Sequence, residues 1–228
     1  MENKLSNALL EEGFHLQEYT NLFDEDGIKR FQNYWHNLPE DSYIKGDFKY
    51  RQRRYSKFNY NPKSKKLKFL SSSYFQEEEH NNIYGGKDRV FFPLETNLIK
   101  DPFLQTFLEL DFAFFLDQGL LNERVYEVGV HQMRTISNSS AEGIVTPEGM
   151  HKDGHFAFAV HFINRNNILG GTTNLYDNNK SKINSMVLKS FGETLFIEDD
   201  KLFHEVTPIR SVDSEQVGYR DVLIIEFY

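Results

Sequence analysis

With 228 residues the chain is long enough to close one sizeable hydrophobic core, and a net charge of −8 argues against nucleic acid or an anionic membrane surface as a partner. It contains no cysteine, which excludes disulfides and thiolate metal sites, so any metal must be held by nitrogen and oxygen. The opening Met1-Glu2-Asn3-Lys4 lacks the apolar run of a signal peptide, and no later stretch is long and apolar enough to span a bilayer; the expectation is a soluble cytoplasmic protein.

A short apolar segment surrounds Leu9 and Phe14. Asp24 is placed to cap a helix over about 25–38, with Ile28, Phe31 and Trp35 along one face and Pro39 as its stop. In residues 45–55 basic and aromatic side chains interleave. The plain reading is a strand with one solvated cationic face; the sharper one sends an arginine into an active site to meet an anionic substrate. Residues 61–88 are polar and broken by Pro62, Gly85 and Gly86, and Glu77-Glu78-Glu79-His80 reads as a solvated loop. Asp101-Pro102 opens a helix to about Asp117, a capping residue followed by a first-position proline. Its apolar positions Phe103, Leu104, Phe107, Leu108, Leu110, Phe114 and Phe115 should face a core.

From about residue 124 the pattern changes to short strands separated by turns, expected at 125–136, 156–164, 172–176, 186–189, 193–197, 204–209 and 221–227. Seven or so strands over about a hundred residues indicate a sandwich or barrel. The 21 Phe and 12 Tyr suit such a β-rich core. The fold class is therefore α+β, mainly β. No linker is evident, so residues 1–228 are expected to form one domain. About 1–120 would make a helical and mixed part packed on a β core of about 121–228.

His151 and Asp153 are two residues apart, a spacing that puts both side chains on one face of an extended strand. A distal histidine, His204 in Leu202-Phe203-His204-Glu205, would complete two imidazoles and one carboxylate. Such a facial set leaves open positions on an octahedral metal, the arrangement of non-haem Fe(II) oxygenases. His-x-Asp alone is a weak signal; without the surrounding pattern these three would be ordinary surface or strand-end residues.

That surrounding pattern comprises residues 147–154 (Pro-Glu-Gly-Met-His-Lys-Asp-Gly), 160–165, 170–177, 204–209 and 218–223, in that order. Together these segments resemble the Fe(II)/2-oxoglutarate-dependent dioxygenases, more closely the bacterial branch that hydroxylates free L-amino acids, such as the L-isoleucine dioxygenases. The N-terminal half resembles the branch mainly through residues 50–55. The resemblance implies a double-stranded β-helix, or jelly roll, with N-terminal helices packed on it. It implies Fe(II) bound by His151, Asp153 and His204, and 2-oxoglutarate and O2 as co-substrates.

The far carboxylate of 2-oxoglutarate needs a cation at the back of the pocket, and arginine's planar fork fits a carboxylate. Arg220 is the leading candidate, because Arg220, Val222 and Ile224 share a strand face and the two apolar residues should point inward. Arg210 is the competitor, and Thr207 a further contact or a structural residue. For the substrate, Arg134, Arg54 and Tyr176 are candidates, with Arg51 and Arg53 also in segments that could border the pocket. Arg134 shares a strand face with Gln132, Val128 and Val130. His155 could replace a ligand in a shifted reading but reads otherwise as a residue supporting the ligands or lying at the surface; His161 and His131 read as hydrogen-bonded core or face histidines rather than ligands.

The expected activity is side-chain hydroxylation of a free amino acid, with a small-molecule partner, no nucleic acid and no membrane; assembly is left open between monomer and homodimer. The alternatives are a non-catalytic jelly-roll module binding metal or a small acid, a jelly-roll metalloenzyme of another reaction type such as an isomerase, and a dioxygenase acting on another small molecule or a peptide. An inward arginine distinguishes the dioxygenase, since only it needs a cation for a dicarboxylate co-substrate.

Overall fold

A computed structural model describes residues 11–228; the first four residues and the Leu9 end of the expected apolar segment lie outside them, while its Phe14 end begins a strand. The strands in chain order are β1 Phe14–Glu18, β2 Arg51–Asn61, β3 Lys66–Ser71, β4 Ser73–Tyr74, β5 Arg89–Val90, β6 Tyr126–Ser137, β7 Ala157–Asn166, β8 Ile168–Gly170, β9 Thr173–Tyr176, β10 Lys182–Met186, β11 Glu193–Ile197, β12 Phe203–Val206, β13 Ile209–Ser211 and β14 Gly218–Phe227. The helices are α1 Glu25–Gln32, α2 Thr96–Ile99 and α3 Pro102–Asp117.

Seven strands form one antiparallel sheet in the order β1-β11-β7-β14-β6-β2-β3. The strand sets β10-β9-β12 and β13-β8 form the opposing layer. Between the layers lies an apolar cluster that includes Phe158, Phe162, Leu175, Leu195 and Leu202. This is the double-stranded β-helix, a jelly roll whose two sheets face each other across the site. No helix among the described residues is long and apolar enough to cross a membrane.

The other face of the large sheet is covered by the helices. Phe31 and Trp35, then Phe103, Leu104, Phe107, Leu108 and Phe115, pack against Val128, Val130, Ala159, Leu223, Ile225 and Phe227. Because β6, β7 and β14 are buried on both faces, apolar residues occur at both parities of each strand, interrupted by buried polar side chains. Beneath α3 a chain of three polar side chains enters this layer: Asp111 Oδ2 lies 2.9 Å from His161 Nε2, and His161 Nδ1 lies 2.8 Å from Thr194 Oγ1. His161 is thus a hydrogen-bonded core residue on the helix side of the sheet.

The helix caps follow their chemistry. Asp24 accepts from Gly27 N at 2.8 Å, and Asp101 accepts from Phe103 N at 2.9 Å. The helix expected over 25–38 is α1 followed by a 3-10 turn at Asn33–Trp35. Along α3, Leu110 and Phe114 are half-buried, whereas Asp111 and Phe112 are buried.

Three strand expectations change. The strand expected at 204–209 is two, β12 and β13, parted at Thr207-Pro208, where proline has no N–H for a ladder and β13 moves to pair with β8. The strand expected at 186–189 lies earlier, at β10, because its pairing with β9 ends at Met186. Residues 61–88 contain β3 and β4; β3 is a sheet edge with mostly exposed side chains, so no apolar alternation marks it.

Asp101 also takes Arg30 Nε at 3.1 Å and the Tyr34 hydroxyl at 3.2 Å. Asp101→Ala should lower stability by about 1–2 kcal/mol, mostly from the lost cap, since the half-exposed Arg30 pair adds little. Urea unfolding should show this as a lower midpoint with an unchanged slope.

Candidate metal centre and pocket

The two histidines are brought together by the backbone. His151 N donates to His204 O at 3.0 Å and His204 N donates to His151 O at 2.9 Å, an isolated antiparallel bridge. Directly opposed residues in such a pair project to the same face. Their ring centroids are 4.3 Å apart, and both residues are buried.

Asp153 reaches the same space by a different route from the expected one. Only His151 is in a bridge; residues 152–155 form a turn, and Gly154 has φ +78°. The turn is braced by the buried Asp199, whose carboxylate accepts from Asp153 N at 3.0 Å and Gly154 N at 2.7 Å. A Cβ at position 154 would lie 2.4 Å from the His80 ring, so this glycine serves both the turn and the close approach of the 75–88 loop.

His151 Nε2 lies 3.5 Å from Asp153 Oδ1, and His204 Nε2 lies 3.5 Å from Asp153 Oδ2. One donor atom from each of the three falls within 4.8 Å of the others. Bonds of about 2.0–2.2 Å at right angles set neighbouring donors about 3 Å apart, so small adjustments seat one octahedral ion. His151 Nδ1 faces Gly149 O at 2.8 Å and must donate to it, which leaves the Nε2 lone pair aimed at the cluster. Burial pushes the Asp153 carboxyl up, but the hydrogen bond to His151 and the His204 and His151 rings outweigh it and hold the group well below the usual carboxylate range. These donors are the nitrogen and oxygen types that suit Fe(II).

A pocket between the sheets opens onto this cluster, floored by Val160, Leu195, Val206, Val222 and Ile224. Arg220 lines it and is 4% exposed. Its guanidinium has no hydrogen bond and no carboxylate within ion-pair distance among the described residues; burial and the facing Arg165 pull its pKa down to about 10 against the opposing charge of Asp221. Arg220, Val222 and Ile224 share the pocket face, as their alternation implied.

Arg210, Arg134, Arg54 and Tyr176 lie elsewhere than expected, and Thr207 takes the structural alternative. Arg210 is 71% exposed and pairs with Glu142 at 2.5 Å, outside the pocket, because β13 turns away from β12. Thr207 Oγ1 accepts from Thr172 N at 3.0 Å, a strand-linking bond. Arg134 faces the helix side of β6 and holds Asp221 through two bonds of 2.7 Å, with its guanidinium 4.0 Å from the Tyr219 ring centre. Arg54 points away from the pocket to Pro93 O at 3.0 Å and Glu95 at 3.0 Å, and the Tyr176 hydroxyl donates to Glu205.

The opposite parity supplies the pocket. Arg51 and Arg53 of β2 line it, with His131 and Met133 of β6. Arg51 and Arg53 therefore reach into the pocket and do not form a solvated cationic face. Arg53 Nη2 meets His131 Nδ1, and His131 Nε2 lies 2.9 Å from Glu226. His155 Nε2 lies 3.0 Å from the Tyr74 hydroxyl. Glu148 lines the pocket beside His151, and its Oε2 is buried without a partner. Tyr74, Gln76, Asn81 and Arg89 enter from the 72–91 segment, which the sequence presents as polar loop.

A family model described as 2OG-Fe dioxygenase matches residues 32–226. The L-isoleucine-4-hydroxylase of Bacillus thuringiensis is 27% identical over 236 aligned positions, covering 94% of this chain and 96% of that one. The 3(1)-hydroxy-L-isoleucine 4-dioxygenase of Pantoea ananatis is 25% identical, covering 89% and 81%. Among solved structures, a bsmA homolog from Methylobium petroleophilum superposes with a TM-score of 0.85 at 26% identity, covering 100% of this chain and 94% of that one.

With Arg134 removed, Asp221 would be left as a buried, unpaired carboxylate. Arg134→Ala should therefore lower stability by about 3–5 kcal/mol while leaving pocket ligands with their own contacts. Guanidinium unfolding, alongside calorimetric titration of 2-oxoglutarate, should separate the two effects.

Proposed function

We propose that this chain, which belongs to the 2OG-Fe dioxygenase family, hydroxylates the side chain of a free L-amino acid. Family membership carries with it Fe(II), 2-oxoglutarate and O2. The balanced reaction takes a substrate C–H, O2 and 2-oxoglutarate to the alcohol, succinate and CO2. A bound Fe(II) supplies the oxygen chemistry; the protein orients the reactants and limits side reactions.

In this reading His151, Asp153 and His204 hold the metal, and Arg220 takes the far carboxylate of 2-oxoglutarate. The observation that carries it is the buried, unpaired Arg220 guanidinium in the same pocket as the three donors. A buried cation without a counter-ion is unfavourable unless an anion arrives to meet it. Support for an amino-acid substrate comes from two relatives named for hydroxylating isoleucine or its derivative, matched over most of their lengths. It also comes from the pocket's composition. Arg51, Arg53 and Arg89 can meet a carboxylate, Glu148 can meet an ammonium, and the apolar floor can receive an aliphatic side chain at about 0.8 kcal/mol per buried CH2.

His151→Ala, Asp153→Ala and His204→Ala should each abolish turnover and the visible absorption of bound Co(II), with circular dichroism preserved. A variant that keeps full activity would remove that residue from the ligand set. Arg220→Ala should raise the 2-oxoglutarate requirement ten- to a hundred-fold, about 1.5–3 kcal/mol for a charge-assisted hydrogen bond, whereas Arg210→Ala should change it little. Succinate formation should respond to a free aliphatic or small polar L-amino acid and not to the same residue in a blocked peptide. Equal turnover of the blocked peptide would overturn the substrate assignment.

A further inference from the structure

We propose that Arg89 is the anchor for the α-carboxylate of the substrate, an assignment that rests on the free-amino-acid reading above. Arg89 lies on β5, in the 72–91 segment, and is 2% exposed. Its Nη2 donates to Gln76 Oε1 at 2.9 Å, its Nε is buried with no partner, and no carboxylate pairs with it among the described residues. The guanidinium carbon sits 5.1 Å from the Tyr74 ring centre, 5.6 Å from Tyr84 and 5.9 Å from Phe91. This is a cation enclosed by aromatic rings, with most of its hydrogen-bonding fork unused. Such a group is a strong carboxylate receptor, because the surroundings exclude the water that would otherwise compete.

The other pocket arginines are less suited. Arg220 and Arg51 both lie opposite Thr135, in one cross-strand row over β14, β6 and β2, so Arg51 belongs to the end of the pocket assigned to 2-oxoglutarate. Arg53 already meets His131 and has Asp41 at 3.9 Å. Arg89 comes from outside the large sheet and is tied to the metal-site carboxylate by one side chain. Gln76 accepts from Arg89, and its Nε2 donates to Asp153 Oδ1 at 3.0 Å. Asn81 Nδ2 fixes the same Gln76 oxygen at 3.2 Å, and Asn81 itself closes the loop through Tyr84 N at 2.8 Å.

The carboxylate anchor and Asp153 are therefore held at a set separation, spanned by a glutamine. An amino acid's α-carboxylate and its γ-carbon are three C–C bonds apart, about 4 Å. Seated on Arg89, a free amino acid can extend its side chain toward the Asp153 side of the pocket. The 72–91 segment would thus select for a free carboxylate, while the sheets bind the co-substrate.

The test is calorimetric titration of oxygen-free protein loaded with Co(II) and 2-oxoglutarate. The titrants are an L-amino acid found in the turnover screen and the amine of the same side chain that lacks the carboxylate. Wild type should prefer the acid ten- to a hundred-fold. Arg89→Gln should shrink that preference to within about threefold, the scale of a lost charge-assisted contact. Arg89→Lys keeps the charge but loses the fork, and should fall between. Retention of the full preference in Arg89→Gln would overturn the assignment and move the carboxylate to Arg51 or Arg53. If Arg89→Gln does not fold, an undiminished preference in Arg89→Lys overturns it instead. If wild type binds no free amino acid, the substrate reading itself falls, an outcome separate from either variant's behaviour.

Discussion

The site depends on two backbone hydrogen bonds, exchanged between His151 and His204. They join a loop to a strand more than fifty positions away, and they fix both imidazoles on one face before any ion is considered. Asp199 then performs the second half of the task by holding the turn that delivers Asp153. The candidate metal site is therefore pre-formed by main-chain geometry and one buried carboxylate, not by the side chains that would touch an ion. Pre-organisation of this kind is what a metal site needs for a defined coordination geometry.

The large sheet then divides its two faces between separate tasks. On β14, Arg220, Val222, Ile224 and Glu226 face the pocket, while Asp221, Leu223, Ile225 and Phe227 face the helices. On β6, His131 and Met133 face the pocket, while Val128, Val130 and Arg134 face the other way. Two arginines on the paired strands, Arg220 and Arg134, thus have opposite fates. One is left without a counter-ion beside the metal donors; the other is neutralised by Asp221 beneath the helical layer.

That division explains what could be read from the residues and what could not. Helix α3 was legible to the residue because Asp101-Pro102 carries its own start signal. Arg220 faces the pocket as expected, but its apolar i+2 and i+4 neighbours did not by themselves fix the face, since Leu223, Ile225 and Phe227 make the other parity apolar too; the resemblance, with its arginine on the final strand, supplied the choice. Arg134 was not legible: a strand buried on both sides has apolar residues at both parities, so Val128 and Val130 gave no information about which face was which. Asp153 was placed correctly for an incomplete reason, since a turn and not a strand presents it. The 72–91 segment was opaque because its fold is set by single polar contacts, Gln76 to Asp153 and Asn81 to Tyr84, which leave no periodic trace in sequence. Arg54 failed by one position of parity, while Arg51 and Arg53 beside it line the pocket.

Arg51, Arg89 and Arg220 are buried with no carboxylate in ion-pair range among the described residues, and a fold that carries such groups is held below the stability its hydrophobic core alone would give. Any dianion that enters the pocket and meets them returns part of that deficit, because it binds the folded chain and not the unfolded one. Melting temperature and proteolytic lifetime then become functions of metabolite concentration. At a hundredfold excess over its dissociation constant, a single such ligand adds about 2.7 kcal/mol to the folded state.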